Sequence, residues 1–81
     1  MKPLVVLLIT KMPKGQKIDL QKLYSVIYKT FPRECQSLGF TDSHPIELKW
    51  KNQIRYGLWE ARKQGLIKHV GTPNSGEWQR L

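Results

Sequence analysis

PIELKWKNQIRYGLWEARKQGL, residues 45–66, is the longest helical pattern in the chain. At about 100° per residue, Ile46, Trp50, Ile54, Gly57, Leu58 and Ala61 fall on one side. Lys49, Lys51, Asn52, Arg55, Tyr56, Trp59, Arg62 and Lys63 collect on the other, with Leu48 among them. Glu47 and Glu60 lie near the borders. The spacing predicts a helix over 45–64 with an apolar core face and a basic outer face that carries two aromatics. Helices built only for stability tend to mix both charges, so a single-signed face points to a partner. Pro45 suits the first helical position, with Thr41, Asp42 or Ser43 as the cap. Gly65 marks the C-terminal end.

C-terminal to this helix, residues 66–70 read as a short strand. The run GTPNSG, 71–76, is dense in turn residues. Residues 77–81 alternate around Trp78, which predicts a hairpin over 66–81. N-terminal to it, Pro3 and the apolar run 4–9 predict a helix reaching about Met12, broken by Pro13, Lys14 and Gly15. Lys17 and Ile18 suit a very short strand. Asp19 then caps a second helix over 20–31, with Leu20, Leu23, Ile27 and Phe31 as a core stripe, Tyr24 filling the same side and Pro32 ending it. Residues 32–44 show no sustained period and read as a long loop anchored by Leu38 and Phe40. Without a repeat or linker, residues 1–81 form one domain. Helix, short strand, helix, loop, long helix and hairpin is the order of an α+β small winged helix, with three helices plus a C-terminal β-hairpin wing. Many such domains insert the helix before the wing into the DNA major groove.

Charge agrees with that placement. The 81 residues carry 14 Lys and Arg against 6 Asp and Glu, a net charge of +8 and a pI near 9.9. Such an excess favours a polyanionic partner, nucleic acid before an anionic membrane. No stretch approaches the roughly 20 apolar residues needed to cross a bilayer, and the run 4–9 lacks the length and cleavage site of a signal peptide. Cys35 is the only cysteine, so neither an internal disulfide nor a cysteine-based zinc site can form. A cytoplasmic, intracellular location is expected.

Catalysis finds little support. Asp19, Glu34, Asp42, Glu47, Glu60 and Glu77 are scattered, and none joins a lysine in a nuclease-like metal motif. His44 and His69 lack partners at metal-ligand spacing. The run 71–76 lacks the lysine and following helix of a phosphate loop. No enzyme activity, metal or cofactor is expected. Duplex recognition is supported by residue type instead. Asn52 suits adenine and Arg55 guanine in the major groove. Lys49, Lys51, Arg62 and Lys63 suit phosphates, which position without specifying. Lys68, Asn74 and Ser75, with His69 and Thr72, suit the backbone or the minor groove. Trp59 either covers the hairpin or faces a partner. Trp50 and Trp78 belong to the core.

Asn52, Ile54, Tyr56, Gly57, Arg62, Lys63, Gly65, Leu66, Ile67, Gly76, Trp78 and Arg80 together form a known pattern. Over residues 50–81 the chain resembles the N-terminal winged-helix domain of Mrr-type restriction endonucleases; over the first half only the helix order agrees. Gln53 stands where the pattern has Arg, Tyr56 where it has Trp, Gly57 where it has Ala, and Ala61 where it has Leu. The resemblance implies a DNA-reading domain of a restriction or defence-type system, burial of Tyr56, and no cleavage by this chain. It also implies a nuclease domain or partner protein working beside it. The competing class is a protein-interaction module, a small inhibitor or adaptor that docks the same basic face on an acidic protein. RNA binding follows.

Overall fold

The computed structural model describes residues 1–71 and 76–81. Four helices and three strands follow in the order α1 (Lys2–Thr10), β1 (Lys17–Asp19), α2 (Leu20–Thr30), α3 (Pro32–Ser37), α4 (Lys49–Lys63), β2 (Ile67–His69) and β3 (Glu77–Arg80). The fold is α+β, with one antiparallel sheet in the order β1-β3-β2.

Local chemistry accounts for most boundaries. The Asp19 carboxylate accepts from the backbone N–H groups of Gln21 at 2.8 Å and Lys22 at 3.3 Å, so it caps α2 as its residue type predicts. At the end of α4, Gly65 takes φ +75°. The Leu66 N–H reaches back to the Ala61 carbonyl and the Gly65 N–H to the Arg62 carbonyl, both at 3.0 Å. This paired return closes the last turn and needs a left-handed residue at position 65. The N-terminal helix stops at Thr10, two residues before the expected Met12. Phe31 ends α2 as a half-buried cap instead of continuing its core stripe.

Two expectations are corrected. Residues 32–37 are not loop but the short helix α3, which Pro32 opens and which buries Cys35, so the described residues hold four helices rather than three. The main helix begins at Lys49, not Pro45. Its cap position is Leu48, and Thr41, Asp42 and Ser43 do not cap it. Residues 40–48 instead close on themselves. Phe40 bridges Leu48, the Thr41 N–H donates to the Glu47 carbonyl at 2.9 Å, and the Glu47 N–H donates to the Thr41 hydroxyl at 3.1 Å. These bonds satisfy the backbone groups that a helical 45–48 would have used. Ile46, placed on the core face by periodicity, is exposed as a result.

From Trp50 onward the predicted face holds. Trp50, Ile54, Gly57, Leu58 and Ala61 are buried. They meet Val5 and Ile9 of α1, Ile18 of β1, Tyr24 and Ile27 of α2, Ile67 of β2 and Trp78 of β3 in one apolar cluster. In the sheet Ile18 opposes Trp78 and Ile67 opposes Arg80, so one face carries the apolar residues inward. Arg80 turns its guanidinium to backbone carbonyls, with Nε on Ile9 at 3.0 Å and Nη1 on Leu66 at 3.2 Å. It thereby ties the end of α1 to the hairpin. Thr72, Asn74 and Ser75, expected at the hairpin tip, lie outside the described residues.

Helix α4 meets α1 closely at Gly57. A Cβ there would lie 2.6 Å from Val5 Cβ, and that atom cannot move without moving α1. Gly57→Ala should therefore destabilise the chain by about 1–3 kcal/mol through overpacking, despite a gain in helix propensity of about 1 kcal/mol. Thermal denaturation followed by circular dichroism measures it. A melting temperature equal to or above the parent's would mean that α1 is not seated on this residue.

Candidate nucleic-acid interface

The outer side of α4 divides into two clusters. At its N-terminal half the organising group is Glu47, in the preceding loop. The Glu47 carboxylate accepts from Asn52 Nδ2 at 3.0 Å and is in direct contact with the Arg55 guanidinium. Arg55 Nη1 donates in addition to the Tyr24 hydroxyl at 3.0 Å. Burial by itself lowers the Arg55 pKa, but the hydrogen bonds and charges of Tyr24 and Glu47 outweigh it, and the net shift is upward. A carboxylate just before the first turn also suits the positive end of the helix dipole.

Sequence spacing could not have revealed this network. On a continuous helix Glu47 and Arg55, eight residues apart, would stand about 12 Å apart along the axis. They meet because Glu47 lies off the helix. The two residues expected to read bases, Asn52 and Arg55, are thus brought together and oriented by one carboxylate. Lys51 is half-buried, its ammonium 5.3 Å from the Tyr24 ring centre and 5.5 Å from that of Trp50. Lys49 is half-buried at the first position of the helix.

The second cluster sits at the C-terminal half. Trp59 is 50% exposed and presents an edge-to-face contact to Trp78, centroids 6.2 Å apart. The Arg62 guanidinium lies 5.1 Å from the Trp59 ring centre, and His69 stacks on Trp78 at 3.9 Å. So Trp59 both touches the hairpin and keeps about half of its surface open to solvent. Tyr56 is 54% exposed. Its burial, implied by the resemblance, is corrected, because Gly57 rather than Tyr56 turns to α1. Lys63 and Lys68 are exposed, Lys68 on the outer face of the sheet opposite Gln79. Neither is joined to the two clusters by a hydrogen bond or ring contact among the described residues. Asn74 and Ser75 lie outside those residues.

No group of three or more His, Cys, Asp or Glu gathers for a metal among the described residues. Burial pushes the Cys35 thiol up, and Glu34 adds to the effect. No helix among the described residues is long and apolar enough to cross a membrane.

The Arg55–Glu47 pair is about one-third exposed on each side, which limits its contribution to stability. Glu47→Ala should cost no more than about 1 kcal/mol, with the difference from the parent shrinking as salt rises. Urea denaturation at low and high ionic strength tests this. A loss well above about 1 kcal/mol that persists in salt would make the network a determinant of the fold rather than an arrangement of its surface.

Compared with known protein families, curated proteins and solved structures, the chain has no match.

Proposed function

We propose that this chain is a winged-helix module that binds double-stranded DNA, with α4 entering the major groove and the β2–β3 hairpin serving as the wing. The carrying observation is the charge of α4. Lys49–Lys63 includes five cations and one carboxylate, Glu60, and Glu60 accepts from Gln64 at the end of the same helix. The buried side of α4 is apolar, so its cations lie at the flanks and the outer side, where Tyr56 and Trp59 are also uncovered. An α-helix about 10–12 Å across matches the width of the major groove. The succession of elements, with β3 between β1 and β2, suits a winged helix and supports the reading.

In this reading Arg55 and Asn52 approach base edges from positions set by their bonds to Glu47. Lys49, Lys51, Arg62 and Lys63 meet phosphates, and Lys68 and the hairpin follow the backbone. The module has no catalytic activity of its own. The resemblance to Mrr-type domains favours a cytoplasmic role in a restriction or defence-type system, beside a nuclease domain or a partner protein.

Lys51→Ala should weaken binding to all duplexes alike and lower the salt slope by about one unit. Arg55→Ala should in addition lose about 1–3 kcal/mol of discrimination at one base pair. Fluorescence anisotropy with labelled duplex DNA across a salt series measures both, with circular dichroism verifying the fold. A parent protein that does not bind duplex at low salt would remove this reading, and docking on an acidic protein would take its place.

A further inference from the structure

Beside the N-terminal half of α4 lies a cleft that the duplex-binding reading touches only through Lys51. It measures about 700 Å³ and opens between α2, α3, residues 39–40 and the start of α4. That volume falls within the roughly 300–1,000 Å³ typical of small-ligand sites. Three rings line it. Trp50 meets Tyr24 edge-to-face at 5.7 Å and Tyr28 at a tilt of 38° and 5.4 Å. A fourth ring, Phe40, stands at the cleft and is 64% exposed. Lys29 and Lys51 supply positive charge, and none of the described residues lining the cleft is acidic.

This combination selects its occupant. A cationic ligand is disfavoured, because the Lys51 ammonium already lies near the faces of Tyr24 and Trp50 and would repel it. A neutral aliphatic ligand would leave both lysines unused. A planar ring joined to an anion satisfies the whole lining, with the ring stacked on Phe40 and Tyr28 and the anion on Lys51 or Lys29. A nucleotide has that chemistry, and base–aromatic stacking needs no particular base. Lys51 is also shared with the outer side of α4, so a strand held there can pass directly into the cleft.

We propose that the cleft receives one unpaired nucleotide of a DNA strand, so that the chain prefers duplexes carrying an extrahelical base. The inference rests on the duplex-binding reading for the position of the strand, and the two separate in experiment. Anisotropy would compare a fully paired labelled duplex, the same duplex with a one-nucleotide bulge, and a short single strand. The parent should bind the bulged duplex roughly fivefold or more tightly than the paired one, the effect of one stacked base. Phe40→Ala should abolish that preference without changing affinity for paired DNA. Phe40→Trp should retain it. Tyr28→Ala, checked for folding, should act as Phe40→Ala does.

Equal affinity of the parent for paired and bulged duplexes would overturn the proposal and leave duplex binding intact; a protein partner would then be the better occupant. A preference unchanged in both Phe40→Ala and Tyr28→Ala would also overturn it. Binding to the single strand, lost in Phe40→Ala, without binding to paired duplex would overturn the duplex reading and keep the cleft's assignment. No binding to any of the three would overturn both.

Discussion

Helix α4 lies against α1 at a point where residue 57 has no side chain. With Val5 Cβ within 2.6 Å of where a Cβ would stand, the approach leaves no space for a larger residue. That contact sets the rotation of α4 about its own axis. Once Gly57 is inward, Ile54, Leu58 and Ala61 fill the seam behind it, and Tyr56 and Trp59 are carried out to solvent. The outer side of the helix is therefore a consequence of close packing on the opposite side. In a chain of this size few alternative contacts exist to compensate if it is lost.

The sheet is held to this helical unit by two residues of β3. Trp78 lies between Ile18 and His69 in the strand registers and makes an edge-to-face contact with Trp59 of α4. Arg80 donates to carbonyls of Ile9 and Leu66, which also accept from the backbone N–H groups of Met12 and Leu81, so one guanidinium joins the end of α1 to the residue before β2. Gly57, Gly65, Trp78 and Arg80 thus have structural work in this fold. The polar residues Asn52, Arg62 and Lys63 of α4 remain on or near its surface. The two groups bear on different questions, one on architecture and the other on what the module meets.

Electrostatics at the N-terminal half of α4 follows from where the helix fails to form. Residues 45–48 are drawn into the loop closed by Thr41 and the Phe40–Leu48 bridge. Glu47 is thereby swung from a helical border position to face Asn52 and Arg55. The same displacement leaves Ile46 exposed. One local departure from the helical pattern accounts for the polar network.

The amino-acid sequence by itself determined the elements whose signals are local. The apolar period from Trp50 to Ala61, the Asp19 cap, the Gly65 stop and the alternation around Trp78 each depend on neighbours a few residues away, and each is found in the structure. The basic side of α4 was legible for the same reason. What only the tertiary structure decided involves partners distant in the chain or in competition for the same backbone groups. Helix α3 was hidden because its single buried residue, Cys35, shows no period in six residues. The late start of α4 was hidden because Pro45 and its neighbours satisfy helix-start rules locally, while the loop's own hydrogen bonds satisfy the backbone another way. The meeting of Glu47 with Arg55 and the convergence of Tyr24, Tyr28 and Trp50 depend on how helices and loops pack, which brings together residues far apart in the chain.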